Sequence, residues 1–291
     1  MASTDSVVAS VREHASLRVG ALTAVAMIAF AANSVLCRLA LKNTAIDPAT
    51  FTSIRLVAGA LTLALIVMLR TGAAPSQGNW FSAAALFAYA AAFSFAYIGL
   101  SAGTGALLLF TAVQTTMVLY ALWRGERLHA VQWCGFALSL SGLLVLLLPG
   151  LTAPPPAGAA LMLAAGFAWG VYSIRGRGCA DPAGATAANF ARSVPMALAL
   201  SALCYRQFAF DSLGAVYALV SGAIASGLGY AVWYSALRNL SGTTAAAVQL
   251  SVPVIAAMGG IALLGETLSL RLLLASMAIL GGIGMVIVRR R

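Results

Sequence analysis

Apolar residues in this chain come in long unbroken runs separated by short breaks of polar residues, Gly and Pro. The runs cover 19–41, 50–69, 80–100, 102–123 and 130–148, then 156–174, 185–204, 212–237, 243–264 and 271–288. Each is close to the roughly 20 apolar residues that carry an α-helix across a bilayer. Only helices or closed barrels satisfy the backbone in lipid, and the runs lack the period-two alternation of barrel strands. The pattern predicts an all-α integral membrane protein with ten transmembrane helices. The breaks carry turn chemistry, as at Asp47-Pro48, Gly72 to Gly78, Pro149-Gly150, Pro154-Pro155-Pro156 and Asp181-Pro182, and none has room for a soluble domain.

Near the N-terminus, Arg12 and Arg18 precede an apolar run containing Ala29-Phe30-Ala31, a sequence like a signal-peptide cleavage site. The run continues to Leu41, long enough to span, so it reads as a retained first helix. The Pro-rich link divides the chain into a tail at 1–18, a five-span unit at 19–148, a linker at 149–155, a second five-span unit at 156–288 and a basic tail at 289–291. The units resemble each other. A shift of 140 places Gly125-Glu126 on Gly265-Glu266, Leu128 on Leu268 and Gly142 on Gly282. A shift of 137 places Arg38 on Arg175 and Arg55 on Arg192. Five spans per unit force the second copy to cross the membrane upside down, so an inverted repeat around a central cavity is expected.

Composition fixes the setting. Hydrophobic residues make up 62% of the 291 positions and charged residues 8%, against about a quarter charged in soluble domains. The net charge of +10 is not gathered into a nucleic-acid-binding patch, because the basic residues fall singly or in small groups between apolar runs. Ten spans place twelve Lys and Arg on the side of the termini and five (Arg38, Lys42, Arg55, Arg206 and Arg271) on the other. By the positive-inside rule both termini are expected in the cytoplasm. The cysteines Cys37, Cys134, Cys179 and Cys204 show neither metal-ligand spacing nor a disulfide framework.

Two five-span units, each carrying Gly-Glu-x-Leu before a last helix that contains glycine, resemble the drug/metabolite transporter superfamily in its EamA-type branch. The residues are Gly125-Glu126-Arg127-Leu128 with Gly142, and Gly265-Glu266-Thr267-Leu268 with Gly281-Gly282. The resemblance covers nearly everything after Val19. The family's Trp-Gly pair stands in the second unit as Trp169-Gly170, whereas the first has Ala32-Asn33. The chain is most similar to the YddG-type exporters of aromatic and other amino acids, which implies an inner-membrane carrier moving amino acids outward through a central cavity.

Every Asp and Glu (Asp5, Glu13, Asp47, Glu126, Asp181, Asp211 and Glu266) maps to a terminus or a connection, as do His14 and His129. A midplane carboxylate is the usual group in proton-driven carriers. Its absence favours facilitation or exchange and leaves no nucleophile–base pair for an embedded enzyme. No metal cluster or phosphate-binding loop is present, and no cofactor is expected. No arginine or lysine is expected at midspan, which disfavours phosphorylated solutes.

The candidate solute-binding residues are midspan aromatics and amides. Tyr89 and Phe93, with Tyr97, recur every fourth residue on one face of the third span, and Tyr97 lies close enough to the outer interface to serve as an anchor there. Trp169 sits near the middle of the sixth span, away from the headgroup level where lipid-facing Trp collects. Tyr230 lies in the eighth span, where Trp233 and Tyr234 also fit an interfacial belt. Asn33, Gln114 and Gln249 place amides inside the first, fourth and ninth spans. Each group either packs between helices or faces a wet path. Pro195 and Pro253 interrupt the hydrogen-bond ladder of their spans. Glu126 and Glu266 read as carboxylates stabilising the N-terminus of the helix each precedes. The small faces Gly135-x-x-x-Ser139 and Ala278-x-x-x-Gly282 bring the fifth and tenth spans together, or bring each to a second copy in a homodimer.

The reading is a facilitative or exchanging alternating-access exporter of amino acids, including aromatic ones, with the lipid bilayer and the solute as partners and no nucleic acid. The competing classes are a carrier or channel for another small polar metabolite or drug, and a non-transporting membrane scaffold.

Overall fold

The computed structural model describes residues 2–75, 77–150, 153–176, 179–240 and 242–288, with side chains from Leu17 onward except at 242, 243 and 288. The side chains of Asp5, Arg12, Glu13, His14, Arg177, Ser241 and Arg289 to Arg291 lie outside that description. Among the described residues the chain is all-helical. The helices are α1 (Ala2–Asn43), α2 (Pro48–Thr71), α3 (Trp80–Ala96), α4 (Ala102–Trp123), α5 (Ala130–Leu147), α6 (Pro156–Arg175), α7 (Pro182–Leu203), α8 (Ser212–Leu237), α9 (Gly242–Gln249 and Ser251–Leu264) and α10 (Leu270–Val288).

Eight of these, α1, α2, α4, α5, α6, α8, α9 and α10, are long and apolar enough to cross a membrane. The two expected spans outside that set have identifiable reasons. Helix α3 stops at 17 residues because the chain turns at Tyr97 to Leu100, where the expected run continues. Helix α7 has the length but carries the polar residues Thr186, Asn189, Arg192 and Ser193. The outer surface is apolar: Leu61, Leu65 and Leu69 of α2 are exposed, while Leu56, Leu63 and Val67 of the same helix are buried. Such a helix, apolar on both faces, has a protein side and a lipid side.

Helix ends follow local chemistry. Asp47 caps α2, its Oδ1 accepting from Ala49 and Thr50 N–H at 2.9 Å, and Pro48 occupies the first turn, where its missing N–H costs nothing. Asn79, Ser101 and Asp211 cap α3, α4 and α8 in the same way. The glycines of the two Gly-Glu motifs share a left-handed backbone, with φ of 87° at Gly125 and 62° at Gly265. Glycine adopts this conformation without the steric penalty a Cβ brings.

The helix contacts form pairs. Helix α2 packs on α7, and α5 on α10. The contact of α3 with α6 is matched by α8 with α1, that of α4 with α6 by α9 with α1, and that of α3 with α7 by α8 with α2. The small-residue faces of α5 and α10 meet each other within the chain: a Cβ on Gly135 would come within 2.5 Å of the Gly282 carbonyl, and one on Gly142 within 2.9 Å of Ala278 Cβ. Gln132 Nε2 donates to the Val286 carbonyl across the same contact at 3.0 Å.

The irregular helices are not both where proline predicts. Helix α7 runs through Pro195 unbroken. Helix α9 is interrupted at Leu250, where Pro253 lacks the N–H that would bond the Gln249 carbonyl. Helix α8 widens into a π-helical segment over Ser221–Leu228, whose run of Ser and Gly forms regular helix poorly. Gly222 in this segment lies against the Arg55 carbonyl and 2.8 Å, by its virtual Cβ, from Ala58 Cβ of α2.

The α5–α10 contact yields a test in paired variants. Gly282→Val places methyl groups against the backbone of Gly135 and Ser139 and is expected to lower stability by about 1–3 kcal/mol. Gly281→Val, which meets nothing within 4 Å, is expected to change it by less than about 0.5 kcal/mol. Thermal unfolding in detergent reads the difference, and equal midpoints for the two variants contradict the packing.

Candidate functional site

A cavity of about 670 Å³ lies between the helices, lined by residues of every helix except α2. Close backbone packing elsewhere turns the large side chains inward. Gly166 and Gly170 seat α6 on Ala112 and Thr116 of α4, and Trp169 and Tyr172 of the same helix line the cavity. Trp169 is the centre of an aromatic cluster. Its ring lies 4.9 Å from Tyr89, 5.3 Å from Tyr172 and 5.6 Å from Tyr230, the last two stacked. Phe30 of α1 joins through Tyr230 at 5.5 Å, and Phe93 through Tyr89 at 5.4 Å.

All seven candidate residues, Asn33, Tyr89, Phe93, Gln114, Trp169, Tyr230 and Gln249, line this cavity. Asn33 is also an interhelical link: Ser221 Oγ donates to its Oδ1 at 2.7 Å, and Ser226 Oγ at 3.4 Å, tying α1 to the π-helical part of α8. Gln114 and Gln249 are half-buried in the lining, on the neighbouring helices α4 and α9. The cavity also contains polar groups outside the seven candidates. Tyr172 donates its hydroxyl to Thr186 at 3.2 Å, Thr186 and Tyr234 hydroxyls lie 2.7 Å apart, and Asn189 lines the same wall.

The two ends of the cavity differ. At one end its lining includes Gln77 and Asn79 from the α2–α3 connection, Leu128 from α4–α5, and Gly176 and Cys179 from α6–α7. Gln77 and Asn79 are exposed there, and Arg175 donates to Ser82 at 3.2 Å and Asn79 at 3.3 Å beside the opening. No residue of the α1–α2, α3–α4 or α9–α10 connections lines the cavity; these are packed shut. Arg38 of α1 donates to the Tyr97 and Ile98 carbonyls at 2.9 and 2.8 Å, and its Nε lies 3.4 Å from Glu266 Oε1. Glu266 accepts from the Ala102 N–H at 2.9 Å, Lys42 donates to the Leu264 carbonyl at 3.1 Å, and the Tyr97 hydroxyl donates to the Ala102 carbonyl at 3.2 Å.

Several expectations are corrected by this geometry. Glu266 does stabilise a helix N-terminus, but that of α4 and not of the helix it precedes, because the fold brings α4 against the end of α9. Tyr97 is fully buried in the closed end and is no interfacial anchor. Trp233 is buried and Tyr234 half-buried, and both face the cavity, so neither forms an interfacial belt. Arg55, counted above with the connections, sits inside the bundle at 2% exposure. Its guanidinium carbon lies 5.0 Å from the Phe93 ring centroid and 5.6 Å from that of Tyr89. A charged residue interrupting an apolar run at Ile54-Arg55-Leu56 was the available signal, because intramembrane charges face protein or cavity.

A closed-ended cavity inside an apolar helical bundle is the form of a solute carrier, and the sequence relationships decide the family. The EamA-like transporter family model matches residues 18–148 and again residues 156–288. The chain belongs to the EamA-like transporter family. It is 56% identical over 270 residues to an uncharacterized protein of Pseudomonas aeruginosa, covering 92% of this chain and 94% of that one. An uncharacterized transporter of Archaeoglobus fulgidus is 27% identical over 81% of this chain and 86% of its own. A probable amino-acid metabolite efflux pump of Salmonella typhimurium is 29% identical over 64% of this chain and 67% of its own. A crystal structure at 19% identity shares the fold, with a TM-score of 0.60 over 91% of this chain and 98% of that one.

In this EamA-like transporter the closed end can be tested through a native thiol. Cys37 is fully buried, adjacent to Arg38 and one helical turn beyond Asn33. With Cys134, Cys179 and Cys204 changed to Ala, Glu266→Gln removes the charge that holds Arg38 and weakens the bond to Ala102. Alkylation of Cys37 by a membrane-impermeant reagent, applied from the side of Arg38, is expected to accelerate about tenfold, the equivalent of one charge-assisted hydrogen bond. An unchanged rate shows that the closure is held by other contacts.

Proposed function

We propose that the chain is a secondary transporter that exports amino acids, including aromatic ones, across the inner membrane by facilitation or exchange. The observation that carries this reading is the cavity, closed at one end by the Arg38–Glu266 network and lined by the Trp169-centred aromatic cluster together with side-chain amides. Its volume of about 670 Å³ is that of a small-molecule site. Stacked rings suit an aromatic side chain, and the Gln114, Gln249 and Asn189 amides suit the polar groups of an amino acid. The efflux-pump name of the Salmonella relative supports the solute class and the direction.

On this reading the bundle has ten spans in two inverted units, α1 to α5 and α6 to α10. The paired helix contacts support that arrangement. The positive-inside count makes the open end cytoplasmic, so the conformation is inward-facing with both termini in the cytoplasm. The counterparts of Arg38 and Glu266 under the two sequence shifts are Arg175 and Glu126, and both lie at the open end. In the outward-facing state these two form the closing pair while Arg38 and Glu266 separate. Arg175 then exchanges its bonds to Ser82 and Asn79 for a carboxylate. The described carboxylates sit at the ends of the bundle, and a guanidinium does not release its proton at ordinary pH. The cycle therefore runs on solute gradients.

Counterflow in proteoliposomes tests the proposal with a panel of amino acids, nucleosides and amines. Saturable counterflow of phenylalanine or tryptophan is expected, with Trp169→Ala raising the half-saturating concentration about tenfold through loss of ring stacking and buried area. Transport of another class with no amino acid carried overturns the solute assignment.

A further inference from the structure

Arg55 has no part in the closed end or the cavity wall, yet its position is demanding. It lies seven residues into α2, about 10 Å along the helix, and is 2% exposed. Its Nη1 is buried with no hydrogen-bond partner among the described residues. The ion pair formed among those residues is Arg38–Glu266, so the charge of Arg55 meets no carboxylate there. Two ring faces contact the guanidinium, those of Tyr89 and Phe93. Ring faces recover only part of the cost of taking such a charge out of water. The shortfall is evidence that the charge serves something besides packing.

The direction is given by the same rings. Tyr89 and Phe93 line the cavity, so they separate the guanidinium from the space a solute occupies. The segment beside Arg55 is the π-helical part of α8, where Gly222 touches the Arg55 carbonyl and Ser221 bonds the cavity residue Asn33. A π-helical turn is a frequent feature of functional sites. An arginine offers donors in a fork that fits a carboxylate, and Nη1 is the donor left unused.

We propose that Arg55 is the counter-charge for the carboxylate of the transported solute, engaged when the Tyr89 and Phe93 rings part. The solute class is an apolar or aromatic carboxylate, with the Trp169 cluster holding its side chain and Arg55 its anionic group. This deepens the amino-acid reading and rests on the same cavity. It adds a charged group to the Gln114, Gln249 and Asn189 amides at the polar end of the solute.

The experiment is inhibition of phenylalanine counterflow in proteoliposomes by phenylalanine, 3-phenylpropionate and phenylalaninamide. Wild type is expected to prefer the two carboxylates over the amide by about tenfold or more, the worth of a charge-assisted hydrogen bond. Arg55→Gln is expected to abolish that preference, and Arg55→Lys to keep most of it. Retention of the wild-type preference in folded Arg55→Gln overturns the proposal while leaving amino-acid transport in place. If no amino acid is carried but labelled 3-phenylpropionate is taken up and lost in Arg55→Gln, the amino-acid reading fails and the carboxylate site stands. If Arg55→Gln does not fold, wild type decides: equal inhibition by the carboxylates and the amide overturns the proposal.

Discussion

The closed end of the bundle depends on one carboxylate set against the N-terminus of a helix from the other half of the chain. Glu266 follows a left-handed glycine at the end of α9, accepts the first N–H of α4 at Ala102 and lies against Arg38 of α1. Three elements from distant parts of the sequence thereby converge on one side chain. The partial positive charge of the α4 terminus and the guanidinium both attract that side chain. Arg38 further satisfies the Tyr97 and Ile98 carbonyls where α3 has stopped short of a full span. The two side chains are only 14% and 10% exposed, so the cost of taking both charges out of water offsets much of their attraction. A closure of small net energy suits the alternating access proposed above.

Everything between that closure and the open end follows from how aromatic rings can be housed in an apolar bundle. Glycines let α6 approach α4 and let α8 approach α2, backbone to backbone. The bulk displaced from those contacts appears as Trp169, Tyr172 and Tyr230 around a central space. Their hydroxyl and amide neighbours are satisfied locally, as with Tyr172 on Thr186 or Ser221 on Asn33, which keeps the wall polar without a free midplane carboxylate. Arg55 is the exception, a cation held behind the wall by two of its rings.

The membrane fold was legible in the sequence because long apolar runs have few alternatives to spanning helices. The repeated Gly-Glu motif was legible because its glycine must adopt a left-handed conformation in both copies. The seven candidate residues reach the cavity wall for a related reason: large aromatics and amides at midspan find little to bond in lipid. Lining the wall is a matter of position, and binding is a separate property. What the sequence hid was direction around the helix axis and contacts between the halves. Depth alone made Tyr97 and Trp233 look like interface residues, whereas their faces turn them inward. Topology counting absorbed Arg55 among the connections. The partnership of Glu266 with Ala102, 164 positions away, leaves no local signal. The π-helical turn left only a run of Ser and Gly, a pattern common in unbroken membrane helices.

The central claim is that the cavity opens alternately at its two ends. It is tested most directly by distances between spin labels across each end in the same protein. Labels at Ile98 and Leu268 span the closed end, and labels at Gln77 and Arg127 span the open one; all four positions are exposed. With saturating transported solute, the account predicts a population in which the first distance lengthens and the second shortens. Distance distributions unchanged at both ends, in protein that carries the solute in proteoliposomes, would contradict it.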